Sequence, residues 1–213
     1  LAEMTKKAIN ILSENSEGFV LQVEGGKVDW AAHANDVPAV LYEQLDFDAV
    51  IAEVIAFAEN REDTLVIITT DHGNANPGLI KSDKVDEKFD LLQNVKHTND
   101  WVLYGLSRNN NIQDVIDRLN VAQGITISED EARIILNGYR HIEETGLYNP
   151  YQLPFKTLAE IQFNYFSVGW SGINHSADFV ELAMYGTGKE ALPPFVKNTD
   201  LHYYMLDVTG VEY

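Results

Sequence analysis

The chain has 213 residues, enough for one domain with a sizeable hydrophobic core, and it contains no apolar run of membrane-spanning length. Its formal net charge of -18 argues against nucleic acid or an anionic membrane surface as a partner, because both would be repelled. The absence of cysteine excludes thiolate metal ligands and disulfides and leaves the redox compartment open.

The first predicted elements are a helix over residues 1–12 and an apolar strand over residues 19–23, which is followed by Glu24, Gly25 and Gly26. The two glycines allow a sharp turn, and a helical turn after them would place Asp29 and His33 on one face. A carboxylate with an imidazole suits zinc, whereas a lone carboxylate such as Glu24 suits magnesium. The commoner alternative for Asp29 and His33 is a surface pair without metal.

A helix is predicted over residues 35–60, capped by Asn35 or Asp36, and a buried strand over residues 65–70. That strand ends in Asp71 and His72. Strand, helix and strand in this order predict a βαβ unit with parallel strands, whose carboxyl ends share one edge. The predicted fold class is therefore α/β, with a mostly parallel central sheet flanked by helices and with Glu24 near Asp71.

The following residues predict a long polar connection, then a strand over residues 101–106, and then helices over residues 112–119, 128–144 and 157–166. The second of these helices opens with a capping box of Ser128 and Glu131. A break is expected at Asn149-Pro150-Tyr151. Residues 107–167 are interpreted as a helical insertion that flanks the metal edge.

A further histidine, His175, lies in a Gly- and Ser-rich loop before a predicted strand over residues 179–185. Taken singly, it is more often a loop histidine bonded to backbone than a ligand. Together with Asp29 and His33 it would complete a three-ligand zinc shell with an open position, which is typical of catalytic zinc. His97-Thr98 is a weaker candidate for an added ligand. The tail over residues 201–208 predicts a closing strand or a helix end.

These segments resemble the C-terminal half of bacterial alkaline phosphatases. The run from Glu24 to His33, together with the preceding Val23, matches the family's V-E-G-G-x-[IV]-D-x-x-x-H segment. Thr70-Asp71-His72, preceded by Thr69, resembles a [TS]-x-D-H strand end, and the run from Gly172 to Ser176 resembles a G-x-H-[TS] loop with one more residue between glycine and histidine. The motifs occur in the family's order, so residues 1–213 are identified as the C-terminal part of one alkaline-phosphatase-like α/β domain, incomplete at the N-terminus.

The resemblance implies two zinc ions and one magnesium ion. Their implied ligands are Asp29, His33 and His175 for the first zinc, Asp71 and His72 for the second zinc, and Glu24 for magnesium. Trp30 falls where some members carry a charged or histidine side chain, so the identity of the third metal stays open. The implied activity of the full-length parent is hydrolysis of phosphate monoesters through a phosphoserine intermediate. A periplasmic or secreted location and a homodimer are also implied.

The family's serine nucleophile and phosphate-clamping arginine are not recognisable in the chain, which contains no Asp-Ser-Ala segment. We therefore expect a fragment without catalytic residues of its own, inactive alone. Two alternatives remain: a phosphoglycerate mutase or phosphodiesterase of the wider superfamily, or a non-catalytic metal-binding or structural module whose acids and histidines serve only stability. The Asp71-His72-Gly73-Asn74 run and His97-Thr98 resemble the strand-end Asp-His ligands of the enzymes in the first alternative.

Overall fold

The computed structural model describes residues 1–81, 83–142 and 152–211, which divide into two compact units. The first unit comprises Leu1–Glu24, Asp46–Gly73 and Ala177–Tyr213, and the second comprises Gly25–Leu45 and Asn74–Ser176. Across the described ranges, no helix combines the length and apolar character needed to cross a membrane.

The first unit contains helices at both ends of the chain and one pair of strands. Its elements are α1 (Ala2–Leu12), the part of α3 (Val37–Ala58) from Asp46 onward, β1 (Leu65–Thr69), β6 (Leu182–Gly186) and α9 (Asn198–Thr209). β1 and β6 pair antiparallel, with Leu65 opposite Gly186 and Thr69 opposite Leu182. The predicted helices over residues 1–12 and 35–60 and the strand over residues 65–70 are thus confirmed, and the tail is a helix.

The predicted mostly parallel sheet is not found among the described residues. Residues 19–23 form no strand, and β1 has an antiparallel neighbour, so the expected βαβ unit is absent. The apolar composition of residues 19–23 predicted extended backbone, but a strand also needs a neighbour for its backbone hydrogen bonds. No described strand lies beside this segment, where Val20 is 72% exposed and the Phe19 ring lies 6.2 Å from that of Phe57.

The second unit holds the remaining elements. They are α2 (Lys27–His33), the part of α3 up to Leu45, β2 (Gly73–Asn74, of which Asn74 belongs here), β3 (Pro77–Leu79), α4 (Val85–Asp90), a 3-10 helix (Leu91–Asn94), α5 (Asn99–Tyr104), α6 (Ile112–Gln123), α7 (Glu129–Asn137), α8 (Phe155–Phe166), β4 (Val168–Trp170) and β5 (His175–Ser176). β3 and β4 pair antiparallel. Asp36 caps α3, since its Oδ1 accepts a hydrogen bond from the Ala39 N–H at 3.1 Å.

A hydrophobic core joins the helices of the second unit. Its fully buried members come from α5 to α8: Val102, Leu103, Val115, Leu119, Ala122, Ala132, Ile135 and Leu158. The predicted capping box of Ser128 and Glu131 is present at the start of α7, which ends at Asn137 rather than at residue 144. The expected break at residues 149–151 lies outside the described residues. Because β4 and α5 contribute to the same core, α6, α7 and α8 pack together with these flanking elements.

The predicted strand over residues 101–106 is wrong, because residues 101–104 belong to α5 and the helix ends before residue 105. Short apolar runs do not distinguish a strand from a buried helix. Here the buried positions are Asn99, Val102, Leu103 and Leu106, a helical spacing. The Thr98 side chain accepts a hydrogen bond from the Trp101 N–H and so caps the helix at its start.

Candidate metal centre

Helix α2 places Asp29 and His33 on one face of the second unit. The Val28 N–H donates to the Gly25 carbonyl at 3.1 Å, so the helix begins directly after the Gly25-Gly26 turn. One helical turn separates the two side chains, and His33 Nε2 lies 3.5 Å from Asp29 Oδ2. A carboxylate and an imidazole nitrogen therefore face each other at the end of a short helix.

The loop before β5 brings His175 to the same place. Its Nε2 lies 3.1 Å from His33 Nε2 and 3.7 Å from Asp29 Oδ1. The three side chains are 36–52% exposed, so this part of the second unit is open to solvent. The structure thus brings together the three residues that the sequence proposes for the first zinc.

A backbone carbonyl defines how His33 presents its ring. Its Nδ1 lies 2.6 Å from the Ile173 carbonyl oxygen, which can only accept a hydrogen bond, so Nδ1 carries the proton. In neutral His33 the lone pair is then on Nε2, the atom that faces Asp29 and His175. Metal-binding histidines commonly have this arrangement, with one ring nitrogen bonded to protein and the other free to coordinate.

Asn74 holds the carboxylate of Asp29 from the other side. Its Nδ2 donates to Asp29 Oδ1 at 2.6 Å and lies 3.2 Å from the Asp29 backbone oxygen. Within the described part of the chain, the buried Asn74 Oδ1 has no hydrogen-bond partner. Sequence reasoning did not assign this residue. The available signal was its place at the end of the Asp71-His72-Gly73-Asn74 run.

The donor set fits zinc. Two imidazole nitrogens and carboxylate oxygens converge, with a backbone carbonyl and a side-chain amide behind them as outer partners. Three protein ligands leave a fourth tetrahedral position, and the solvent exposure of the side chains leaves it accessible. Asp29, His33 and His175 are therefore the residues that could hold such an ion.

Asp71 and His72 lie in the first unit, just after β1. Asp71 Oδ2 lies 3.3 Å from His72 Nε2, and Asp71 Oδ1 accepts a hydrogen bond from the His72 N–H at 3.1 Å. The Thr70 hydroxyl donates to the His72 carbonyl at 3.1 Å, which keeps this turn compact. A carboxylate and an imidazole are thus adjacent here too.

Glu24, the residue that the sequence proposes for magnesium, also lies in the first unit and is exposed. No polar contact joins it to Asp71 or His72 within the described residues of that unit. Trp30, which follows Asp29 on α2, is 71% exposed.

A buried polar network supports the end of α2. Asp36 is 1% exposed, and its carboxylate accepts hydrogen bonds from the backbone N–H groups of Ala39 and Asn99. Burial raises the pKa of Asp36 to about 6, and these hydrogen bonds only partly oppose that effect. Asn99 Oδ1 accepts from Gln123 Nε2 at 2.9 Å and from Gln162 Nε2 at 2.7 Å. Sequence reasoning missed this network, because its members lie on four separate segments.

Comparison with known proteins gives a consistent set of relatives. The family model described as alkaline phosphatase matches residues 1–211. Alkaline phosphatase 4 of Bacillus subtilis is 28% identical over 200 residues, covering 94% of this chain and 41% of the relative. Alkaline phosphatase of Escherichia coli is 36% identical over 114 residues, covering 54% of this chain and 23% of the relative.

Among solved structures, that of Thermus thermophilus alkaline phosphatase matches with a TM-score of 0.86 and 27% identity, covering 100% of this chain and 48% of that one. The chain spans less than half the length of each of these relatives.

Proposed function

Because the chain belongs to the alkaline phosphatase family, we propose that it supplies metal ligands to an enzyme that hydrolyses phosphate monoesters. The observation that carries this proposal is the convergence of Asp29, His33 and His175. These residues lie on two distant segments, and their donor atoms are 3.1 to 3.7 Å apart. A surface pair without metal accounts for Asp29 and His33 but gives no reason for His175 to join them.

We assign Asp29, His33 and His175 to a first zinc ion. Zinc held with an open position acts as a Lewis acid that stabilises negative charge on the oxygens of a phosphoryl group during transfer. Two neighbouring groups of the chain orient these ligands. The Ile173 carbonyl fixes the tautomer of His33, and Asn74 directs the Asp29 carboxylate towards the two imidazoles.

We assign Asp71 and His72 to a second zinc ion and Glu24 to magnesium. Support for the second zinc comes from the strand-end motif and from the adjacent donors after β1. The support for Glu24 is its place in the motif alone. The serine nucleophile and the phosphate-clamping arginine of the proposed reaction would come from a part of the enzyme outside these residues, since the chain has no Asp-Ser-Ala segment.

The strong negative charge of the chain is compatible with an anionic substrate. A phosphate monoester would be repelled by a surface of net charge -18. Divalent cations at clustered carboxylates and imidazoles reverse the sign of the local potential, so a dianion can bind at the metals although the protein as a whole is acidic. A homodimer and a periplasmic or secreted location remain predictions from the family.

One feature that favoured a mutase or phosphodiesterase has another explanation. In the second unit Thr98 caps α5, and the His97 ring stacks on Trp101 with ring centroids 4.1 Å apart. Both side chains therefore have structural roles within that unit, and the pair gives no support to an added ligand. The phosphatase proposal is the better supported of the two enzyme classes.

The proposal is tested by metal content and by substrate preference. The purified chain should retain at least about one zinc after dialysis, the count expected for one three-ligand site with an open position. The full-length protein should hydrolyse p-nitrophenyl phosphate much faster than a phosphodiester and should not isomerise phosphoglycerate. A chain without zinc would favour a non-catalytic module, and a preference for the diester would place the enzyme in another class.

A further inference from the structure

Asn35 lies where α2 ends, and it joins this end to the loop that carries His175. Its Nδ2 donates to the Gly172 carbonyl at 2.8 Å and to the Ala32 carbonyl at 3.2 Å. Asn35 is only 1% exposed. A buried carboxamide thus connects the last turn of α2 to a segment 137 positions away.

A second hydrogen bond between the same two segments lies beside it, from His33 Nδ1 to the Ile173 carbonyl. Residues 33 and 35 thus hold residues 173 and 172, and His175 follows two positions later. We propose that Asn35 is a positioning residue, whose carboxamide clamps the 172–175 loop to α2 and so sets the spacing between His33 and His175. This inference rests on the proposed metal site.

The backbone conformation of Asn35 indicates that the amide matters. Its φ of 48° is in the left-handed region, which glycine adopts without cost and asparagine tolerates. Glycine at this position would adopt the same backbone conformation but would leave the Gly172 carbonyl without its Asn35 donor. Asn60 provides a comparison in the first unit. It follows α3 with a φ of 64° and is exposed to solvent.

The buried network anchors Asn35 on its other side. The Asn35 carbonyl accepts a hydrogen bond from Asn99 Nδ2 at 3.3 Å, and Asn99 is bonded in turn to Gln123 and Gln162. Asp36, the next residue, binds the Asn99 backbone N–H. Asn35 is therefore fixed to the helical core through its backbone and to the His175 loop through its side chain.

The test is Asn35→Gly, which keeps the backbone conformation and deletes the amide, with Asn60→Gly as the matched control. Zinc affinity is measured by competition with a chromophoric chelator, and the stability of the zinc-free protein by urea unfolding. We expect Asn35→Gly to weaken zinc binding by about 10-fold or more, as loss of an outer-shell contact does. Asn60→Gly should change the affinity by less than about twofold, because the Asn60 side chain is exposed to solvent.

A measurement without metal separates positioning from general stability. In zinc-free wild-type protein the imidazole 15N signals of His33 should report a protonated Nδ1, and Asn35→Gly should shift them towards a tautomer mixture. Unchanged zinc affinity in the variant would overturn the positioning role, and unchanged His33 signals would overturn the clamp itself. If Asn35→Gly does not fold, Asn35→Asp, which keeps the shape but has no donor, is measured in the same way and judged by the same two readouts.

The two proposals fail in different ways. Wild-type protein that binds no zinc would overturn the proposed function, while the His33 signals would still show whether the clamp exists. Wild-type protein that binds zinc, with a variant that binds it equally well, would overturn the positioning role alone.

Discussion

The Nε2 atoms of His33 and His175 lie 3.1 Å apart, although 142 positions separate the two residues in the chain. Two ring nitrogens cannot face each other at this distance with both lone pairs exposed, so a proton or a cation must lie between them. Because Asp29 adds a carboxylate within 3.7 Å of both, the local charge favours a cation. A divalent cation in this place would bind all three side chains, as the proposed zinc site requires.

Replacing either histidine by alanine should abolish the first zinc site. Loss of an outer-shell contact commonly costs about 10- to 100-fold in affinity, so loss of a direct ligand should cost at least about 100-fold. We expect His33→Ala and His175→Ala in the full-length protein to lose most zinc and nearly all turnover of p-nitrophenyl phosphate. His202→Ala, on the exposed face of α9, is the control. Near wild-type activity in either site variant would contradict the assignment.

Replacing Asn74 should weaken the same site without removing a ligand. Asn74→Ala deletes the 2.6 Å hydrogen bond to Asp29, and the freed carboxylate can rotate away from the imidazoles. We expect zinc affinity to fall by about 10- to 100-fold with the zinc stoichiometry unchanged. Asn74→Asp should lower the stability of the zinc-free protein more than Asn74→Ala does, because two carboxylates would then face each other. Asn10→Ala on α1 serves as the control, and equal affinity in wild type and Asn74→Ala would exclude the role.

The sequence predicted part of the local geometry of the candidate site, because the residues concerned belong to short local patterns. The spacing of Asp29 and His33 on a helical turn is a local property, and so is the capping box of Ser128 and Glu131. The partners of these residues are not local. Nothing in the spacing indicates that the Ile173 carbonyl would bind His33 or that Asn74 would bind Asp29, since three-dimensional packing decides both.

The errors in the predicted fold have the same origin. Residues 101–106 are apolar enough for a strand, but the Thr98 cap and the packing of Val102 and Leu103 favour a helix. The strand over residues 65–70 was recognised, yet its composition does not say which strand will pair with it. Its partner, β6, begins at Leu182 and runs antiparallel. Strand pairing over such distances depends on the tertiary structure, which hydrophobic periodicity does not encode.

Gly105→Ala should displace Arg118 and destabilise α5. A Cβ atom at Gly105 would overlap the guanidinium, which lies over the Trp101 ring at 3.7 Å and donates to the carbonyls of Trp101 and Val102. The flexible side chain can move, but these contacts are then lost, and we expect a cost of about 1–3 kcal/mol in urea unfolding. Arg118→Ala removes the same contacts, so the double variant should be little worse than either single variant. Additive effects would show that Gly105 acts through something else.

Asp36 should make the stability of the protein depend on pH in an unusual direction. Burial raises its pKa in the folded state from 3.8 to about 6, so the folded protein holds this proton more tightly than the unfolded chain does. Well below pH 3.8 the carboxyl is protonated in both states and carries no penalty. As pH rises from about 4 to 6 the unfolded chain ionises first, so the contribution of Asp36 to stability falls and then stays constant. A shift of this size corresponds to about 3 kcal/mol.

Asp36→Asn isolates this effect, because the other carboxylates cancel in the comparison with wild type. Asparagine cannot ionise, although it leaves one of the backbone N–H groups of Ala39 and Asn99 without an acceptor. We expect the wild type to be clearly more stable than the variant at pH 4, and this advantage to shrink by up to about 3 kcal/mol by pH 7. Urea unfolding at pH 4, 5, 6 and 7 measures the free energy of unfolding of both proteins. Parallel curves across this range would mean that Asp36 ionises at an ordinary pH and that its burial is offset by the hydrogen bonds it accepts.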